Sequence, residues 1–304
     1  MEGAFDNISF ESIRTKLAQS RISPTVANWI CLMVSNRTIS LTLNGMTITR
    51  RVSRGCPQGG VLSPLLWNIT MNGLLSDPSL HQDFLQAFAD DLAILLGGID
   101  IPTIRAKCQR YLNAINRWCT SIGVKLSTLK SQAIMFTHKR KWFLDKPLSV
   151  NNSDIPMVTE VRYLGVVLDS KLSWRPHIEK ASLKAMSALF ALSSSCKKTW
   201  GLAPMYVRWI YCQVVLPSLL FGAVVWHYKL SNNKSLLAVL SRVQRSASLM
   251  ITGAFASSPL PTMEIIAGLR PIELSETSRF HQPSPQNHQP VEESSPGTSA
   301  SFTC

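Results

Sequence analysis

Acidic residues are scarce in this chain. Eighteen Asp and Glu stand against 31 Lys and Arg in 304 residues, a formal net charge of +13. Such a balance disfavours a cationic partner and favours a polyanion, of which nucleic acid is the commonest. Cys-x-x-Cys pairs are absent. The seven cysteines (Cys31, Cys56, Cys108, Cys119, Cys196, Cys212, Cys304) are scattered and odd in number, which supports neither a zinc module nor a disulfide framework. They point to a reducing intracellular compartment, cytoplasm or nucleus. Long apolar runs are also lacking: the most apolar stretch, residues 214–226, is too short to span a bilayer, carries Pro217 and reads as a buried helix. The opening MEGAFDNISF holds two acids and no apolar run, so no secretory signal is expected. The protein is therefore expected to be neither secreted nor transmembrane. At 45% hydrophobic and 16% charged residues the chain has the composition of a globular protein, long enough for two domains. Beyond Arg279 there is no Lys or Arg, and Pro, Ser, Gln and His dominate, so residues 279–304 are expected to be disordered.

Ser9 can cap a helix with Phe10, Ile13 and Leu17 on its apolar face, and Ser23-Pro24 opens another with Val26, Ile30 and Met33 on one side. Residues 38–52 alternate around Asn44-Gly45, the strongest short-range hairpin signal, because both turn residues need positive φ. A loop, RGCPQGG, leads to Ser63-Pro64 and an apolar helix. Two apolar strand-like runs in residues 84–96 flank Asp90-Asp91. A helix from Pro102 carries Ile104, Cys108, Tyr111, Ile115 and Trp118 and stops at Gly123. Short strand-like pieces follow at 124–126, 132–137 and 161–168. After Trp174 the pattern is helical: one helix marked by Ile178, Ala181, Ala185, Leu189 and Leu192, a second over 204–226, and a third over 231–252 ended by Gly253. The change from mixed to helical pattern near residue 175 suggests a domain boundary.

Two segments could carry chemistry. In Phe88-Ala89-Asp90-Asp91 two adjacent carboxylates sit between apolar runs, where they repel each other and need a positive partner. A divalent cation fits, since carboxylate-bound Mg2+ is typical of phosphoryl transfer. An ordinary solvated hairpin turn fits equally well. In Arg54-Gly55-Cys56-Pro57-Gln58-Gly59-Gly60 the glycines let backbone approach a phosphate or base, and Gln58 offers a donor and an acceptor. Alone, such a loop reads as a turn.

Taken together, AFD, then RGCPQGGVLSP, then FADD, in this order, resemble the palm motifs of reverse transcriptases from non-LTR (LINE-type) retrotransposons. Ile122-Gly123-Val124-Lys125-Leu126 with Lys130-Ser131, then Arg162-Tyr163-Leu164-Gly165, agree. The stretch RVQRSASLMITGAFASSPLPTMEIIAGLRPIEL looks like the region after the polymerase core of jockey-like and I-like elements, so the resemblance covers residues 1 to about 275. It implies an α+β fold: a right-hand polymerase palm, an antiparallel sheet with helices on one face, followed by an all-α thumb-like domain. The domains would be 1–174, a partial palm and fingers; 175–278, a helical thumb and post-thumb region; and 279–304, the tail. The implied activity is RNA-directed DNA polymerisation, with an RNA template, a DNA primer and deoxynucleoside triphosphates as partners and no membrane.

Residue by residue, the resemblance makes Asp90 and Asp91 two of three catalytic, metal-binding carboxylates, for two Mg2+ ions or Mn2+ in their place. Those ions would activate the primer 3′-hydroxyl and stabilise the leaving pyrophosphate. Phe5 would select deoxynucleotides by its clash with a 2′-hydroxyl. Gln58, Gly59 and Lys130 would contact the nucleotide, while Phe88, Tyr163, Leu164 and Gly165 would contact the primer. On composition alone, Phe5 and Phe88 are core residues, Lys130 a surface lysine and 163–165 a turn.

Departures from the pattern support a second reading. The family's first motif begins with an Asp two residues before the position of Glu2, and Met1 opens the sequence after that point. Ser127 stands where the family usually has Asn, and the fingers and an upstream endonuclease are not seen. The second reading is a catalytically dead relic that at most binds nucleic acid. Viral RNA polymerases and intron-encoded maturases share the palm, but the FADD segment and the later stretch argue against both. Phosphate contacts are expected from Lys139-Arg140-Lys141, Arg175, Lys180, Lys184, Lys197, Lys198, Arg242 and Arg245. Trp174, Trp200 and Trp209 read as core, and His177 as structural.

Overall fold

The computed structural model describes residues 1, 3–80, 83–137, 146–194, 201–230 and 233–272. The expected disordered tail, Lys139-Arg140-Lys141, Lys197, Lys198 and Trp200 lie outside the described residues. The chain packs as two compact units, one up to Val161 and one from Arg162 onward. The mixture of helix and strand agrees with an α+β class.

In the first unit, α1 (Ala4–Asn7) precedes α2 (Phe10–Gln19) and α3 (Pro24–Ser35). The Ser9 hydroxyl accepts the Ser12 N–H at 3.1 Å, so α2 starts where its cap predicts and buries Ile13 and Leu17. α3 starts at Ser23-Pro24 as expected, but it buries Ala27, Ile30 and Val34, leaving Val26 and Met33 exposed. The reason lies in its sequence: PTVANWICLMVS is apolar on several sides, so periodicity could not choose the face.

Strands β1 (Thr38–Leu43) and β2 (Met46–Arg51) form the expected hairpin, with Asn44 at φ 49° and Gly45 at φ 79°. Leu41 pairs with Ile48 and Leu43 with Met46. That face, with Ile39, is 61–74% exposed. The other face joins Ser40 to Thr49 at 2.8 Å and Thr42 to Thr47 at 2.9 Å through their hydroxyls.

α4 (Ser63–Leu75) buries Leu66, Trp67, Thr70, Met71 and Leu74. It precedes the hairpin of β3 (Phe84–Phe88) and β4 (Asp91–Leu95). α5 (Ile101–Ser121) is capped by Asp100, whose carboxylate accepts the Thr103 N–H at 2.8 Å, and the chain turns away at Gly123, φ 82°. Beside it, Asp83 takes an ion pair from Lys107 at 2.7 Å and the Tyr111 hydroxyl at 2.8 Å. Burial alone would raise the Asp83 carboxyl, but these partners and the charge of Arg110 hold it below its usual value.

Of the strand expected at 124–126 only an isolated β-bridge at Lys125 forms; the Val124 N–H donates to the Cys119 carbonyl and closes the end of α5. Of residues 132–137 only β5 (Ala133–Ile134) is strand. It runs parallel to β8 (Met157–Val158), while β6 (Leu148–Val150) and β7 (Ser153–Ile155) make a further antiparallel hairpin. Among the described residues every sheet has two strands. Ile8, Leu17, Val34, Trp67, Leu74 and Ile115 centre the core of this unit.

β9 (Glu160–Tyr163), which contains the boundary between the units, pairs with β10 (Val166–Asp169). Asp169 then accepts the backbone N–H groups of Ser173 (2.8 Å) and Trp174 (3.0 Å), folding the loop that leads to α6 (Arg175–Ser193). Burial opposes its charge, yet these bonds keep the carboxyl below its ordinary value.

Residues 204–226 are not the single helix expected. They divide into α7 (Pro204–Ile210), a π turn over Tyr211–Val215, α8 (Leu216–Leu219) and α9 (Ala223–Trp226). Pro217 has no N–H to give to the preceding turn, and Gly222, at φ 70°, breaks the chain before α9. α10 (Lys234–Thr252) ends at Gly253, φ 66°, as expected, and α11 (Leu260–Ala267) follows. Ile178, Leu189, Tyr211, Leu219, Trp226 and Leu240 are central to this core. Trp174 joins it, but Trp209, expected there, is 60% exposed. Inside, the Tyr211 hydroxyl donates to Gln244 at 2.8 Å, and the Gln244 amide donates to Glu264 at 2.6 Å. Among the described residues no single helix is long and apolar enough to cross a membrane.

Candidate active site

The turn Phe88-Ala89-Asp90-Asp91 is built from a strand pair whose register sets Phe88 opposite Asp91. Asp91 is thus the first residue of β4, and Ala89-Asp90 form the two-residue tip. Ala89 adopts φ 50°, a left-handed conformation uncommon for a residue with a Cβ. Its carbonyl is held by the indole N–H of Trp67 at 2.7 Å, and the Met1 nitrogen donates to the Asp90 carbonyl at 2.9 Å. Both carboxylates are exposed.

Trp67 also joins the tip to the first motif. Its ring lies 5.8 Å from that of half-buried Phe5, tilted by 40°. The next residue, Asp6, accepts the side-chain N–H of Gln58 at 2.7 Å, which connects the first motif to the glycine-rich loop. That loop is docked by backbone as well: Gly55 N–H donates to the Ile8 carbonyl at 2.7 Å and Cys56 N–H to the Phe5 carbonyl at 2.6 Å. Gly55 has φ 86°, and a Cβ there would sit 2.6 Å from the Asp6 carbonyl oxygen, so only glycine fits. The Arg37 guanidinium donates to the Gly55 carbonyl from the end of α3. Cys56 is buried beneath, where loss of solvent raises its thiol against the pull of Arg37. Gly59, φ 79°, is exposed, with open space where a Cβ would stand.

Residues 1–168 match the family model described as reverse transcriptase (RNA-dependent DNA polymerase). The chain belongs to the reverse transcriptase family. It is similar to a protein of the R1DM retrotransposable element of Drosophila melanogaster, 26% identical over 276 residues, covering 90% of this chain and 26% of that protein. A Pol polyprotein of the R1 element of Bradysia coprophila is 26% identical over 280 residues, covering 91% of this chain and 27% of that polyprotein. The RNA-directed DNA polymerase of the mobile element jockey of Drosophila funebris is 29% identical over 185 residues, 59% of this chain and 20% of that protein. The chain therefore spans about a quarter of the length of the two R1 relatives. The resemblance expected from the motifs, to non-LTR retrotransposon reverse transcriptases, holds over most of the chain.

Of the residues singled out in sequence, contacts within this reverse transcriptase domain draw together Phe5, Gln58 and the tip bearing Asp90 and Asp91. Phe88 is 61% exposed beside them. Lys130, exposed in the turn after Ser127, takes no part in those contacts. Ser127 is buried, and its carbonyl accepts the Ser131 N–H and hydroxyl. Tyr163, Leu164 and Gly165 lie at the β9–β10 turn, with Leu164 at φ 46° and Gly165 at φ 87°. Arg245 donates to the Ala256 and Ser258 carbonyls, and Arg175 bonds Glu179 and Ser235. Trp67 and Arg37, which fasten the site, were missed. The position of Trp67 four residues after Ser63 on an apolar helix marks it only as core.

Reverse transcriptases as a family use divalent metal ions. Magnesium is typically held by one or two carboxylates together with substrate phosphates, and the exposed Asp90 and Asp91, adjacent in sequence, could supply carboxylates of that kind. Among the described residues no three His, Cys, Asp or Glu side chains gather in one place.

Proposed function

We propose that this chain is part of a polymerase that extends a DNA primer on an RNA template, with Asp90 and Asp91 as its metal-binding catalytic carboxylates. The observation that carries the reading is the contact chain from the tip through Trp67 to Phe5, and from the adjoining Asp6 to Gln58. Three segments far apart in sequence converge where a nucleotide and two carboxylates would meet. When bound, Mg2+, or Mn2+ in its place, would supply charge stabilisation for the in-line displacement at phosphorus.

The protein's own residues have distinct parts in this reading. Asp90 and Asp91 hold the ions from a tip that Trp67 keeps in one position. Phe5, braced against Trp67, closes the space a 2′-hydroxyl would need. Gln58 and Gly59 meet the incoming nucleotide, Lys130 its triphosphate, and Phe88 the primer end. Tyr163, Leu164 and Gly165 grip the primer strand. Residues 1–174 act as palm and fingers and 175–278 as thumb and post-thumb.

A second reading is a chain that at most binds nucleic acid without extending a primer; among the described residues no three His, Cys, Asp or Glu side chains gather in one place. Primer extension on an RNA template with Mg2+ and deoxynucleotides separates the two. The polymerase reading expects extension by the chain and background after Asp90→Ala. Identical background before and after, with binding retained, leaves the second reading.

A further inference from the structure

We propose that His177 is a positioning residue for primer binding, fixing the Tyr163-Leu164-Gly165 turn on which the primer contact depends. The inference rests on the reading of that turn as the primer grip. His177 belongs to α6, is 4% exposed, and uses both ring nitrogens. The Val167 N–H donates to Nδ1 at 3.3 Å, so Nδ1 must carry the lone pair. Nε2 then carries the proton and faces the Phe221 carbonyl at 3.1 Å. The same carbonyl accepts the Trp226 indole N–H, also at 3.1 Å. A single tautomer of one ring therefore joins strand β10 to the segment at 221–222.

Those are the two pieces that meet at the turn. The Phe221 ring lies against Gly165, where a Cβ would come within 2.7 Å of Cε1, and a Cβ on Gly222 would come within 2.8 Å of the Val166 side chain. The turn rests on the Phe221 ring, the Phe221 carbonyl is held by His177, and the strand leaving the turn is held by His177 as well. Packing alone does not call for this residue. A phenylalanine would fill similar space but leave the buried Val167 N–H without its acceptor. What the imidazole adds is a fixed distance between β10 and residue 221. Leu164, at the tip, remains 39% exposed and open to a ligand.

The test uses the full chain and a DNA primer annealed to RNA, with 2-aminopurine at the primer 3′ end. Fluorescence anisotropy gives the dissociation constant, and the 2-aminopurine signal reports where the terminus sits. Leu164→Ser probes the turn directly. His177→Phe keeps a ring and removes both bonds, whereas His177→Asn offers an acceptor near Nδ1 and His177→Gln a donor near Nε2. The expected result is about tenfold weaker binding and an altered terminus signal for His177→Phe, with partial recovery in at least one amide variant. Melting temperatures identify a variant that fails to fold; if His177→Phe fails, the two amide variants decide by the same two signals. Unchanged binding and terminus signal in folded His177 variants, while Leu164→Ser weakens binding, overturns the inference and leaves the primer-grip reading standing. No effect of Leu164→Ser, or no primer binding by the parent chain, overturns both.

Discussion

Replacing Trp67 with phenylalanine removes one hydrogen bond and part of one ring at the point where the site is fastened together. The indole is 1% exposed, its N–H reaches the Ala89 carbonyl at 2.7 Å, and its ring contacts Phe5. The lost bond should cost about 1 kcal/mol and the unfilled space left in the core about 1–2 kcal/mol, for a total of about 2–3 kcal/mol. Urea unfolding should show this as a lower midpoint with an unchanged slope. Amide exchange should accelerate most at residues 89–91, because that tip loses its anchor while the packing of α4 is largely retained. If extension is detectable, its rate should fall further than stability does, since displacement of reacting groups by about 1 Å costs on the order of 100-fold. A change below about 0.5 kcal/mol, within the range of a surface substitution, would refute the idea that Trp67 anchors the tip. So would a uniform loss without local opening.

The strained tip itself can be relieved: Ala89→Gly at φ 50° should stabilise the chain by about 0.5–1 kcal/mol, read by the same unfolding experiment, because the left-handed penalty exceeds glycine's entropy cost. Gly55→Ala should destabilise by at least about 2 kcal/mol, since its Cβ would press on the Phe5 and Asp6 carbonyls, and circular dichroism melts would show it. Acid should unfold the chain through Asp83 and Asp169. Their folded-state carboxyls lie below the usual carboxylate value, so their contribution is present above about pH 4 and is lost as pH falls through the lowered values. Stability measured against pH should therefore drop below about pH 4, and Asp83→Asn or Asp169→Asn should each flatten that drop.

Much of the local structure was legible because single residues decide it. Ser9 and Ser23 start helices, Asn44-Gly45 turns a hairpin, and Gly123 and Gly253 end helices, each by a conformation or hydrogen bond that few residues can supply. The convergence of Phe5, Gln58 and the Asp90-Asp91 tip was implied by motif order, and the contacts agree with it. What was not legible depended on partners distant in sequence. The face of α3 could not be chosen because several of its sides are apolar. Residues 204–226 kept a continuous apolar pattern while Pro217 and Gly222 divided the backbone. Charge in the sequence does not reveal that Arg245 reaches the loop carbonyls of Ala256 and Ser258. Trp67 looked like core, and it is core; its second use, the N–H directed at Ala89, is a tertiary fact.

The central claim is that metal binds at the β3–β4 tip beside Phe5 and Gln58. Substituting Fe2+ for Mg2+ in the presence of primer, template and deoxynucleotide, then adding ascorbate and peroxide, cuts backbone close to the bound ion. The account predicts cuts at residues 89–91 and near Phe5 and Gln58, all lost together in Asp90→Asn with Asp91→Asn. Cleavage concentrated elsewhere, or unchanged when both carboxylates are removed, would contradict it.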